Sequence, residues 1–227
     1  SKRNCDFKWN CWQSVEAHRA KTTQEAAYAS IVIPTYNQDP KLLMAAIYSA
    51  RAQTAAVEVI VVDNGTTDYK IIAADAPAST PDGPAYGTLR LPPDVRLIRH
   101  ERNAGIAGGL NSGIKAMTSD WFCWLSSDDM IGPTKVIQQR LAMRDVDALA
   151  SFHRYEVTYD GEAFPRYSIM PSWQTIDEQR RILAGACCIN GSTVMIHCSV
   201  FDRVGLFDTS LQYALDWDMW CRIGVHY

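Results

Sequence analysis

No stretch of this sequence approaches the ~18 consecutive apolar residues of a membrane-spanning helix, so no transmembrane segment is expected. Positive charge is not in excess. Lys and Arg number 22 against 25 Asp and Glu, a net charge of −3, and they are scattered. That gives no footing for nucleic-acid binding or for a polybasic membrane patch. The opening residues, SKRNCDFKWNCW, have no apolar core behind their charges, so no secretory signal is read there. Paired C-x₂-C spacing is missing too, which argues against a zinc site. The seven cysteines stand at irregular positions, 5, 11, 123, 187, 188, 198 and 221. Four lie in apolar patterns, and the set reads as small buried hydrophobes in a reducing compartment. Cys5 and Cys11 alone are spaced to pair with each other under oxidising conditions. Internal repeats and low-complexity tracts are also missing. What remains, 47% apolar and 21% charged over 227 residues, is enough for one large domain with a substantial core.

Order along the chain points to an α/β domain. Residues 1–28 are mixed and polar, with Trp9, Trp12 and His18. Residues 14–29 favour a helix, so an extension packing its tryptophans on the domain is expected. SIVIP (30–34) is a short β-branched run, hence a buried strand. A loop, Thr35 to Gln38, and a helix from Pro40 follow, with Leu42, Leu43, Ala46, Ile47 and Ala50 as its apolar face. VEVIVV (57–62) is the next strand, closed by the turn-forming DNGTTD. Strand, helix, strand within about 30 residues predicts parallel pairing through a right-handed crossover. Residues 73–94 are rich in Pro, Ala and Gly and read as an irregular surface excursion. VRLIRH (95–100) is a third strand. Residues 148–159 and 162–167 are expected as strands joined by the Asp160-Gly161 turn, giving a mixed, mainly parallel sheet flanked by helices. A helix opened by Pro133 and running to Met143, another over 174–183 and a short one over 199–204 complete the reading.

Two stretches carry chemistry. WFCWL (121–125) lacks polar alternation, so it reads as a strand covered on both faces. It ends in Ser126-Ser127-Asp128-Asp129, where open α/β sheets bind ligands. Hard oxygen ligands there suit Mg²⁺ or Mn²⁺ shared with substrate phosphates; a plain acidic turn with an Asp helix cap is the competing reading. The second stretch, RNAGIAGGLNSGI (102–114), places glycines where a helix or ligand approaches the backbone closely. Tight packing of that helix on the sheet and a phosphate cradle both fit. The G-x-G-x-x-G dinucleotide pattern is not present.

SIVIPTYNQ, VVDNGTTD, RNAGIAGGLNSGI, WLSSDDMIGP, NGSTVMI with VFDRVGLFD, and LDWDMWCRI occur in one order from Ser30 to Ile223. In this the chain resembles the family 2 glycosyltransferases, inverting enzymes of the GT-A fold, a Rossmann-like sheet flanked by helices. The resemblance implies a GT-A domain over 29–227 behind the 1–28 extension. Pro34, Tyr36 and Asn37 would then border the nucleotide base of the donor, and Asp63 would hydrogen-bond base or ribose. Asn103, Gly105, Gly108 and Asn111 would lie along the nucleotide near the diphosphate. Ser126 takes the place of the first Asp of the family's D-x-D region, leaving Asp128 and Asp129, one for Mn²⁺ or Mg²⁺ and one for the ribose or a metal-bound water. Asp216 matches the catalytic base, with Leu215 where the family often has Glu. Asp218 is a fallback on another side of the helix, and Trp217 and Trp220 read as packing.

The implied activity is metal-assisted transfer of a hexose or deoxyhexose from a UDP-, dTDP- or GDP-linked donor. The acceptor would be a glycan or lipid-linked glycan, as in polysaccharide biosynthesis in the cytoplasm or at the inner face of the membrane. Acceptor contacts in the family often follow the base motif, and the chain stops at Tyr227, so a longer native protein or a compact catalytic core is expected. Two other classes compete. A nucleotidyltransferase usually carries a Gly-rich basic loop after the first strand, and Thr35 to Pro40 has no Gly, Lys or Arg. A non-catalytic sugar-nucleotide or glycan-binding relative would account for Ser126 and Leu215.

Overall fold

The computed structural model describes residues 28–76, 87–159, 162–163 and 175–227. The expected 14–29 helix therefore lies almost wholly outside the described residues, as do the Cys5–Cys11 pairing and the Asp160-Gly161 turn.

The domain is built on strand β1, Ala29–Thr35, in which every residue is buried. It pairs in parallel with β2, Val57–Asp63, on one side and with β6, Trp121–Trp124, on the other. β5, Val95–Arg99, extends the sheet beyond β2, again in parallel. On the far side β10, Met195–His197, runs antiparallel to β6 and to the two-residue β7, Ala150–Ser151, giving the order β5-β2-β1-β6-β10-β7. The mixed, mainly parallel sheet read from the sequence is present.

Successive residues of β1 face opposite sides of the sheet. Ile31 and Ile33 pack with Val59, Val61 and Cys123 and with the apolar face of α1, Pro40–Arg51. Val32 packs with Ile60, Phe122 and Trp124 and with α2, Gly105–Ala116. Coverage on both sides is why these strands lack polar alternation. Helix α1 starts as its sequence predicts: Pro40 opens it, and the Asp39 carboxylate accepts from the Lys41 N–H at 2.7 Å. The glycines of α2 serve packing. A Cβ at Gly113 would overlap the Val32 side chain, and one at Gly109 would lie 3.1 Å from the Pro34 Cβ, so the helix seats on β1 at backbone distance.

Four expectations need correction. Residues 73–94 are not wholly irregular: Thr88–Arg90 forms β4, parallel to β3, Lys70–Ile72. Its three residues pair while the Pro-rich run lies to either side. The long strand over 148–159 is reduced to β7 and the short β8, Thr158–Tyr159, which pairs with β9, Glu162–Ala163; only two residues of β7 have a partner on β10. Pro133 does not open the following helix, since α3 runs Lys135–Val146 with Thr134 at its N-cap. The cysteines are less buried than expected. Cys123 is buried, Cys188, Cys198 and Cys221 are half-buried, and Cys187 is exposed.

Helix α4, Ile176–Gly185, is fixed by a capping box between Thr175 and Glu178. α5, Cys198–Val204, and α6, Leu215–His226, close the described chain. No helix among the described residues is long and apolar enough to cross a membrane.

Candidate active site

The carboxyl ends of β1, β2 and β6 lie side by side, because the three strands are parallel and in register. Their loops carry Tyr36 and Asn37, then Asp63, then Ser126 to Asp129, so the edge gathers these residues from distant parts of the chain.

Asp63 is completely buried. Its Oδ1 accepts from the Thr66 N–H at 2.8 Å, closing the turn after β2. Oδ2 lies 3.4 Å from Arg99 Nη2 and makes no hydrogen bond. A buried acceptor left with an ion pair but no hydrogen bond is costly, and a ligand N–H or O–H would satisfy it. Gly65, at φ 81°, makes that turn possible, since a Cβ there would stand 2.9 Å from the Arg102 backbone. Asn64 joins the turn to the loop before α2: Oδ1 accepts from the Ala104 N–H at 3.2 Å, and Nδ2 donates to the Gly105 carbonyl at 2.7 Å.

Asn37, at φ 48°, spends its side chain on the neighbouring loop. Its Oδ1 accepts from the Thr67 N–H at 2.8 Å and its Nδ2 donates to Thr67 Oγ1 at 3.1 Å. Tyr36 beside it is 45% exposed, which leaves its ring available. Pro34 is buried under Gly109. Asn103 is exposed, and its carboxamide oxygen accepts from the Gly105 N–H at 2.8 Å. Gly105, at φ 72°, has open space where a Cβ would be; Gly108 lies against Ala104. Asn111 is buried: Nδ2 donates to the Phe207 carbonyl at 2.8 Å and Oδ1 accepts from the Phe207 N–H at 3.0 Å. That two-way bond ties α2 to the loop before α6.

The acidic stretch is a turn in which the Asp129 N–H donates to the Ser126 carbonyl at 3.1 Å. Asp128 is exposed, and no described residue hydrogen-bonds its carboxylate. Asp129 is half-buried and held by a residue that sequence reasoning passed over. Ser192 Oγ accepts from the Ser126 N–H at 3.0 Å and donates to Asp129 Oδ2 at 2.5 Å. Ser192 sits in a 3₁₀ turn, Gly191–Thr193. That turn lies directly on β6, because a Cβ at Gly191 would overlap the Trp124 indole. The signal was the Asn190-Gly191-Ser192 run, whose loop chemistry is visible but whose spatial neighbour is not. Burial raises the Asp129 carboxyl, the Ser192 bond opposes this, and the nearby Asp128 charge adds to it.

Asp216 stands in the first turn of α6, half-buried, with Cys187 Sγ 3.6 Å from its Oδ2. Asp218, the fallback base, is committed to Arg222, whose Nη2 and Nε lie 2.6 and 2.9 Å from its Oδ2. The packing reading of both tryptophans holds: Trp217 Nε1 donates to the Leu183 carbonyl at 2.6 Å and Trp220 Nε1 to that of Ile189 at 3.0 Å. A separate cavity behind α6 is lined mainly by apolar groups, including Phe152, Leu183, Ile189 and Trp220, and by none of these carboxylates.

Among the described residues no three His, Cys, Asp or Glu side chains gather to hold a metal by themselves. Two adjacent carboxylates, one free and one raised by burial and by its neighbour, nonetheless fit a hard divalent cation that takes its other ligands from water and phosphate.

The sequence model of glycosyl transferase family 2 matches residues 30–205. An uncharacterized glycosyltransferase of Rickettsia typhi is 32% identical over 199 residues, 85% of this chain and 57% of its own. The succinoglycan biosynthesis protein ExoO of Rhizobium meliloti is 35% identical over 108 residues, 47% of this chain and 27% of its own. The solved structure of S. aureus TarS 1-349 superposes with a TM-score of 0.61 at 17% identity, covering 86% of this chain and 54% of that one. A mannosyltransferase of Pyrobaculum calidifontis, in complex with GDP-Man and Mn²⁺, gives 0.51 at 14% identity, over 88% of this chain and 55% of that one. The chain thus spans little more than half of the Rickettsia typhi relative and of these two structures. The structural likeness shows the fold, that of the GT-A glycosyltransferases, and with the family model matched across the sheet and the acidic turn, the chain belongs to glycosyl transferase family 2.

Proposed function

We propose that residues 29–227 carry the catalytic domain of an inverting glycosyltransferase, behind an extension over 1–28. It moves a sugar from a nucleoside-diphosphate sugar to an acceptor hydroxyl. The observation that carries this reading is a short tether. Ser192 holds Asp129 and Cys187 touches Asp216. Five residues span at most about 18 Å, which supports placing both sets of carboxylates in one site.

Donor binding falls to the strand ends. Asp63 Oδ2, buried and without a hydrogen bond, is suited to an N–H or O–H of the nucleotide, and Tyr36 offers an aromatic face to the base. Asn103, Gly105 and Gly108 line the diphosphate side at the start of α2, where backbone N–H groups favour anions. Pro34, Asn37 and Asn111 shape the pocket from beneath through the contacts described above. Asp128 and Asp129 would hold Mn²⁺ or Mg²⁺ together with the diphosphate. When bound, the metal supplies charge neutralisation for the departing nucleoside diphosphate. TarS has been solved with UDP and with UDP-GlcNAc, and the mannosyltransferase with GDP-Man and Mn²⁺, which supports a nucleotide-sugar donor; the classes we propose are UDP-, dTDP- and GDP-linked.

Asp216 is the general base. An alcohol is a poor nucleophile, and a carboxylate within reach takes its proton as the oxygen attacks the anomeric carbon. Attack opposite the leaving group inverts that carbon. The acceptor is a glycan or lipid-linked glycan, in polysaccharide biosynthesis, met in the cytoplasm or at the inner face of the membrane.

Ser126 and Leu215 favour a second reading, a non-catalytic sugar-nucleotide-binding relative. Product analysis separates the two. With donor, Mn²⁺ and a sugar acceptor, proton NMR is expected to show release of nucleoside diphosphate and a product of inverted anomeric configuration. Retained configuration refutes inversion, and no release beyond the enzyme-free control favours the binding relative.

A further inference from the structure

We infer that Cys187 is a positioning residue for Asp216, its thiol holding one carboxylate oxygen so that the other faces the acceptor hydroxyl. This rests on the reading of Asp216 as the base.

The start of α6 does little to fix that carboxylate. Ala214, at φ 57°, occupies the N-cap without a side-chain hydrogen bond. Asp218 is bonded to Arg222 rather than back toward Asp216. The side chain that reaches Asp216 comes from another segment: Cys187 Sγ lies 3.6 Å from Oδ2, within range for a sulfur donor. The same sulfur is 3.8 Å from the Ile189 carbonyl. A thiol has one proton, and two facts assign it to Asp216. The carboxylate is nearer and charged, so it is the stronger acceptor. The Ile189 carbonyl already accepts from Trp220 Nε1 at 3.0 Å. That Trp220 bond also ties Ile189, two residues from the thiol, to α6, although Cys187 itself is exposed. Partial desolvation of the thiol, though the residue as a whole is exposed, and then the Asp216 charge push it up to about 11, so it keeps its proton at neutral pH.

The chemistry suits a base. A thiol is a weak donor, so it orients Oδ2 while taking little of the carboxylate's basicity. Oδ1 has no side-chain partner among the described residues and is left for the acceptor proton.

The test uses the whole chain with Cys187→Ala, Cys187→Ser and Asp216→Asn, each checked for an unchanged melting temperature. Release of nucleoside diphosphate in the transfer reaction gives kcat, and calorimetry gives donor Kd. Cys187→Ala is expected to lower kcat about three- to tenfold, the scale of one ordinary hydrogen bond, since a thiol is a weak donor even to a carboxylate. Donor Kd should stay within about twofold, and Cys187→Ser should recover most of kcat, because a hydroxyl donates to the same oxygen. Independently of turnover, iodoacetamide labelling of Cys187 at pH 8, followed by mass spectrometry, is expected to run several-fold faster in Asp216→Asn, where the neighbouring charge is gone. Wild-type kcat in Cys187→Ala, a parallel loss of donor affinity, or an unchanged labelling rate overturns the inference. If Asp216→Asn turns over normally, it is the base reading that has failed; if it is inactive while Cys187→Ala is normal, only the positioning role has.

Discussion

Asp216→Asn is expected to leave donor affinity within about twofold and to cut transfer by roughly 10²–10⁴-fold, the range a positioned general base contributes. The substitution keeps shape and removes basicity. Asn still fits the first turn of α6, and its carboxamide oxygen still accepts from the Cys187 thiol, so the helix and its Trp217 and Trp220 anchors stay in place. The proposed donor contacts come from other elements, the ends of β1, β2 and β6, which is why binding and turnover should separate. Initial rates and donor Kd measured on the same preparation check this. Unchanged turnover would move the base elsewhere. Asp218 would then be tested next, although its carboxylate is already engaged by the Arg222 guanidinium.

The second large effect concerns the acidic turn. Asp128→Asn and Asp129→Asn should each weaken donor binding in Mn²⁺ by at least the roughly 10–100-fold that losing an outer-shell partner costs a metal site. With the metal chelated, both should differ little from the wild type. The two will differ in stability. Asp128 is exposed and no described residue hydrogen-bonds its carboxylate, so its replacement should leave the melting temperature alone. Asp129 accepts from Ser192, and Asn can keep that bond through its oxygen while losing the charge that burial and Asp128 disfavour. Asp129→Asn should therefore melt no lower than the wild type. Calorimetric titration of donor with Mn²⁺ and with EDTA reads the metal role, and equal losses in both conditions would refute it.

The parts of the fold legible in the sequence are those that burial dictates. β1, the Val59–Val62 part of β2 and β6 are covered on both faces and appear as unbroken apolar runs; α1 announces itself through Pro40 and its apolar spacing. The parts that were misread depend on partners distant in sequence. Thr88–Arg90 looks like a fragment of a Pro-rich loop until Lys70–Ile72 is beside it. Residues 152–157 carry strand-forming side chains, yet β10 offers partners only to Ala150 and Ser151.

The site divides in the same way. Its strand-end carboxylates are conspicuous because open α/β sheets bind ligands at that edge. Their supports are not. Ser192 is one serine in a turn, and nothing local says that it reaches Asp129, 63 residues away. Asn111 lies in a helix expected beside the nucleotide, and only the folded chain shows both ends of its amide taken by the Phe207 backbone. Asp218 and Arg222 are the exception, since their i, i+4 spacing on a helix is itself the signal of a pair.

The most direct test of the proposed donor site is a thermal-shift panel of UDP-, dTDP- and GDP-sugars, each with Mn²⁺ and with EDTA. A ligand that binds only the folded state stabilises it by about 2.7 kcal/mol at 100 times its Kd, roughly 5–10 °C for a chain of this size. The expected result is a shift of that order with one nucleotide class, present in Mn²⁺ and largely lost in EDTA. A cooperative melt that moves with none of the three, in either condition, would contradict the assignment of Asp63, Asp128 and Asp129 to a nucleotide-sugar site.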